Sequence, residues 1–213
     1  MPKQEKKTED NSSIISETPS SNDWRKKESL KWKSSYEEYD YGSVFYGLTR
    51  VTKPLLVVEL GTKAGYSAFY VAKALKENGK GEIHCYDLWE RYQYNSTPIN
   101  ETEENLKEFI QDGIVTLNQR DVLGVDENYE SVDILHVDVG NHGEILDKII
   151  PCWLPKVKSL IILEGGSEER DQVDWMKKYN KIPLRDWLSR NKHLFNYITL
   201  KNFPSLTILE PIK

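Results

Sequence analysis

VELGTKAGYS, Val58–Ser67, is the stretch on which the reading of this chain turns. Its first residues complete LLVVEL (Leu55–Leu60), an apolar run whose one acid is Glu59. That is the pattern of a parallel strand buried on both faces. Gly61 supplies a tight turn, and Gly65 opens YSAFYVAKAL (Tyr66–Leu75), whose apolar residues recur at helical spacing until Asn78-Gly79 stops them. Strand, glycine turn and helix in this order let a ligand lie against bare backbone near a helix N-terminus. The spacing is GxxxG rather than the GxGxxG of dinucleotide-binding turns. Glu59, just ahead of the turn, disfavours a phosphate and suits a cationic or amine-bearing ligand.

Outward from this turn, EIHCYDL (Glu82–Leu88), IVTLN (Ile114–Asn118), VDILHVDV (Val132–Val139) and SLIILE (Ser159–Glu164) read as further strands. Helical spacing separates them over Glu101–Gln111 and Glu144–Trp153 and returns between Glu168 and Lys192. Such alternation predicts an α/β fold with a doubly wound, mostly parallel sheet. FNYITLKNFPSLTILEP (Phe195–Pro211) is two alternating runs joined by a short turn, so the sheet is expected to end in an antiparallel hairpin. Upstream, residues 1–23 are polar and charged and predict a disordered tail. Residues 24–53 are dense in aromatics and predict a helical segment, read either as a cover over a site or as plain core. Residues 54–213 form the domain proper.

With 213 residues, 38% hydrophobic and 30% charged, the chain holds one domain with appendages. No window approaches the ~20 apolar residues that cross a bilayer, and MPKQEKKTED is unlike a secretory signal. A cytoplasmic protein with no membrane partner is expected. Cys85 and Cys152 both lie in apolar stretches and read as small buried thiols. Residues 1–33 hold eight Lys/Arg against six Asp/Glu, leaving 21 basic and 28 acidic residues in the remainder. A body with a net charge of −7 is a poor partner for nucleic acid and points to a small or uncharged substrate.

Two more acids follow strand ends. Asp87, 26 residues after Gly61, is placed to take both hydroxyls of a ribose, and Asp121 in NQRDVL to accept from an adenine amino group. Three acids at the carboxyl ends of three strands lie where ligands of open parallel sheets bind. His142, in HVDVGNHGE after the fourth strand, is the candidate general base, since neutral imidazole has a suitable pKa. Trp89 is read equally as an adenine stacker or as loop packing, and Glu90–Asn100 as a lid or acceptor wall.

On these residues the chain resembles the class I S-adenosylmethionine-dependent methyltransferases over Tyr41–Pro211. It is most similar there to small bacterial O-methyltransferases of the macrocin and mycinamicin type. The resemblance implies a Rossmann-like seven-stranded sheet, S-adenosylmethionine as cofactor and O-methylation of a small molecule or glycan. It implies that Glu59, Gly61 and Gly65 hold the methionine part, Asp87 the ribose and Asp121 the adenine, with Ser67 also binding cofactor. Asp138 falls on a position that binds cofactor and metal. With Glu164 it forms the implied magnesium pair, to which Asp171 is a candidate third ligand. A homodimer built on the aromatic N-terminal segment is also in keeping with the family. Two departures stand out: the histidine comes one residue later than usual after the aspartate, and Gly165 follows Glu164 where a second acid is usual. They leave a catalytically inactive binding or assembly protein as the alternative. A nicotinamide-dependent oxidoreductase fits the turn and hairpin less well.

Overall fold

In a computed structural model, residue 32 and residues 34–93 and 97–212 are described. The tail expected at 1–23 and the first part of the 24–53 segment lie outside the described residues. Among the described residues, the helix of that segment is α1, Tyr41–Thr52, preceded by turns over Ser35–Asp40.

Seven strands follow: β1 Leu56–Leu60, β2 Glu82–Asp87, β3 Val115–Gln119, β4 Val132–Val137, β5 Val157–Glu164, β6 Phe195–Leu200 and β7 Leu206–Pro211. They form one sheet in the order β3-β2-β1-β4-β5-β7-β6. The first five pair in parallel, and β7 pairs antiparallel with both β5 and β6, so the expected hairpin closes the sheet. Reversal of strand order between β1 and β4 opens a crevice at the carboxyl ends of the strands.

Helices α2 (Tyr66–Asn78) and α3 (Ile99–Gln111) join α1 on one face, and α4 (Gly143–Trp153) lies on the other. Strand alternation sets this division. Val57, Ile83, Cys85 and Ile134 pack with Phe45, Tyr70, Leu75 and Leu106 on the first face. Val58, Leu60, Leu135 and Ile161 pack with Leu146, Ile150 and Trp153 on the second. The helix expected between Glu168 and Lys192 is three short ones, α5 Glu168–Asp171, α6 Asp174–Lys178 and α7 Leu184–Asn191. Pro183 forces the last break, because it lacks an N–H and sits at the N-cap of α7. Cys85 is buried as read, whereas Cys152 is exposed on α4. No helix among the described residues is long and apolar enough to cross a membrane.

Candidate active site

The turn after β1 shows why both of its glycines are required. Gly61 has φ +91°, and a Cβ there would lie 2.1 Å from the carbonyl oxygen of Asp138. Gly65 has φ +89°, and its Cβ would meet Leu106 at 2.9 Å. L side chains rarely adopt this backbone region. The sequence reading gave the missing side chains to a ligand. In the structure they let β1 close on the end of β4 and let α2 approach α3.

Asp87 holds this turn in place. Its Oδ2 accepts the backbone N–H groups of Thr62 (3.0 Å) and Lys63 (2.8 Å), and its Oδ1 accepts that of Trp89 (2.7 Å). A carboxylate offers about four lone-pair sites, so one on Oδ1 is left for a further donor. Trp89 packs the loop: it is fully buried, and its indole N–H faces Lys63 O (2.8 Å) and Thr102 Oγ1 (2.9 Å). Glu90 accepts Ile99 N–H and the side-chain amide of Gln119, and residues 94–96 of the Glu90–Asn100 stretch lie outside the described residues. Asp121 is exposed, two residues beyond β3, and accepts only the N–H of Leu123 among the described residues.

Glu59 lies deeper. It has 0% exposure, and its Oε1 accepts from Ser67 Oγ and from His136 Nδ1 at 2.9 Å. The register pairs Glu59 of β1 with His136 of β4, which puts the two side chains on one face of the sheet. Glu59 Oε2 and His136 Nε2 are buried without a hydrogen-bond partner among the described residues. Burying a carboxylate is costly unless it is paired with charge and hydrogen-bonded, and imidazole supplies only part of that. The arrangement suits a ligand with a positive charge and N–H donors.

At the ends of β4 and β5 lie Asp138 and Glu164. Tyr36, from the turns before α1, donates its hydroxyl to Asp138 Oδ2 at 3.1 Å. The Tyr36 ring is stacked on Tyr66 and edge-on to Tyr41 and Phe45, so the N-terminal segment covers this end of the crevice. Burial raises the Asp138 carboxyl above its usual range, against the pull of His136, Tyr36 and Arg170. Burial and the charge of Asp138 raise Glu164, while Arg170 opposes them with two contacts, Nε to Oε1 at 2.5 Å and Nη2 to Oε2 at 2.9 Å. Asn141 Nδ2 bridges the backbone carbonyls of Val137 (2.7 Å) and Glu164 (2.9 Å) and so locks the two strand ends together.

The implied magnesium pair does not fit this geometry. Both Glu164 oxygens face a guanidinium, and Asp171 turns away to accept Leu184 N–H and Arg185 Nε. No group of three His, Cys, Asp or Glu residues suited to a metal occurs among the described residues.

His142 is the N-cap residue of α4, with its Nδ1 2.8 Å from Glu144 Oε2. Its side chain is 17% exposed and lies edge-on to Trp175 at 6.0 Å. A carboxylate on Nδ1–H leaves Nε2 as the nitrogen able to take a proton. Tyr36, Arg170, Glu144 and the pairing of His136 with Glu59 were not found by sequence reasoning. Each depends on contacts that periodicity does not report.

The comparisons agree with this architecture. Residues 58–163 match a family model described as a methyltransferase domain. Comparison with curated proteins gives no match. Among solved structures, the SAH complex of an O-methyltransferase from Bacillus cereus superposes with a TM-score of 0.65 at 15% identity, covering 93% of this chain and 95% of that one. SAH-bound PaMTH1 of Podospora anserina gives 0.62 at 16%, over 89% and 85%. The O-methyltransferase TomG of Streptomyces achromogenes, involved in tomaymycin synthesis and in complex with SAM, gives 0.61 at 15%, over 90% and 91%. Residues 58–163 thus match a methyltransferase domain model, and the chain's fold is that of these solved methyltransferases.

Proposed function

We propose that this protein transfers the methyl group of S-adenosylmethionine to a hydroxyl oxygen of a small molecule. The observation that carries the reading is the buried Glu59 carboxylate beside the glycine turn, whose Oε2 has no hydrogen-bond partner among the described residues. A methionine ammonium supplies the charge and donors this carboxylate lacks. The O-methyltransferase neighbours that hold SAM or SAH support the same cofactor and an oxygen acceptor.

When bound, the cofactor would supply an electrophilic methyl on a sulfonium, with the sulfur as leaving group for transfer to the acceptor oxygen. The chain's own groups then have three tasks. Glu59, backed by Ser67 and His136, fixes the methionine end, and Asp87 holds the turn beside it. Asp121 is the residue proposed for the adenine. His142 Nε2 takes the acceptor's proton, with Glu144 fixing the ring through Nδ1. The Tyr36 cover excludes water from the end of the crevice at Asp138.

The test is release of S-adenosylhomocysteine on incubating the full chain with S-adenosylmethionine and a panel of polyhydroxy acceptors, with product mass as the second readout. A gain of one methyl on a hydroxyl is expected, absent when that hydroxyl is already methylated. Cofactor binding with no turnover on any acceptor, together with tight capture of a protein partner, would instead establish the inactive assembly reading.

A further inference from the structure

Two buried or partly buried carboxylates at adjacent strand ends need a positive charge between them. β4 and β5 pair through Val137 and Leu163, the residues just before Asp138 and Glu164. Arg170 answers both acids. Its Nε and Nη2 meet the two oxygens of Glu164, and its charge opposes the burial that raises the Asp138 carboxyl. The geometry is the bidentate fork that matches a planar carboxylate.

Three features hold the guanidinium in place. The Trp175 ring lies 5.4 Å from Cζ. Ser167 caps α5 by accepting the Arg170 backbone N–H at 3.2 Å. The Gly165-Gly166 loop between acid and base is pinned to β7 and the turn before it by Gly165 N–H to Ser205 O at 3.0 Å and Thr207 Oγ1 to Gly165 O at 2.8 Å. Arg170 is itself largely buried, with 11% side-chain exposure. A divalent cation bound by Glu164 would sit beside this guanidinium, with like charges opposed at contact distance.

We propose that Arg170 is the resident cation of this site, taking the place beside Asp138 and Glu164 that the family resemblance gives to magnesium. It is a positioning residue: it orients Glu164 and offsets the charge of Asp138, so the site needs no metal. The proposal stands on local geometry and not on methyl transfer, so it is tested without an acceptor.

The full chain is titrated with Mn2+ as the probe, followed by electron paramagnetic resonance and calorimetry. The wild-type chain is expected to show no stoichiometric Mn2+ site that Asp138→Asn removes, and EDTA is expected to leave its S-adenosylhomocysteine affinity unchanged. Arg170→Ala, which leaves both acids without their cation, is expected to raise Mn2+ affinity by roughly tenfold or more, and adding Asp138→Asn to reverse the gain. One Mn2+ bound per wild-type chain and lost in Asp138→Asn would overturn the assignment. So would a cooperatively folded Arg170→Ala chain with unchanged Mn2+ affinity. If Arg170→Ala unfolds below the assay temperature, the comparison of wild type with Asp138→Asn decides alone.

Discussion

Asp87→Asn probes the glycine turn with the smallest change of shape. The carboxylate accepts three backbone N–H groups, two on Oδ2 and one on Oδ1. An amide has one acceptor oxygen. If that oxygen keeps Thr62 and Lys63, the new NH2 group faces the Trp89 N–H, donor against donor. The loss is one charge-assisted bond, worth about 1.5–3 kcal/mol, and one partly buried N–H left without an acceptor, at about 1–3 kcal/mol. Because Asp87 is only half-buried and water reaches part of the site, a net loss of ~2–4 kcal/mol in unfolding free energy is expected. The turn also shapes the proposed cofactor site. If ~3 kcal/mol of its ordering is transferred to the binding step, S-adenosylhomocysteine affinity falls on the order of 100-fold. Urea unfolding and isothermal calorimetry on the same preparation measure the two numbers. A variant within ~0.5 kcal/mol of wild type, the range of ordinary surface substitutions, with unchanged affinity would refute the clamp.

Three further outcomes are expected. His142→Ala should keep cofactor affinity and slow transfer by ~10²–10⁴-fold, and an unchanged single-turnover rate would remove His142 from the mechanism. Glu144→Gln should reproduce part of that loss without affecting cofactor binding, since Glu144 orients the His142 ring and otherwise accepts the Ile182 N–H. Tyr36→Ala should empty a well-packed aromatic site and cost ~3–5 kcal/mol by chemical denaturation, as large aromatic truncations do. A near-neutral Tyr36→Ala would show that the segment is not packed as a cover.

The framework was legible because its signals are local. The continuous run at β1, the regular return of apolar strands and the alternating hairpin each follow from period and burial, and the structure has them within one or two residues of the expected ends. Of the candidate site, what could be read was what sits at a strand end or a turn: Glu59, Gly61, Asp87, Asp138, His142 and Glu164. What could not be read were the partners. Tyr36 meets Asp138 across 102 positions, and His136 meets Glu59 across 77. His136 reads as a structural strand histidine until the order of β1 and β4 is known. Only then does the register set it beside a buried acid. Arg170 is six residues from Glu164, but a double-glycine loop intervenes and no repeat in the sequence predicts that the chain folds back on itself there. At Trp89, an aromatic next to Asp87 left stacking and loop packing equally open, and burial decides for packing.

The most direct test of the account is calorimetry of the full chain with S-adenosylmethionine, with NAD as control, on wild type and Glu59→Ala. One S-adenosylmethionine per wild-type chain, no heat with NAD, and binding lost in a Glu59→Ala chain that still unfolds cooperatively is the predicted result. No binding by wild type, or equal affinity in Glu59→Ala, would contradict it.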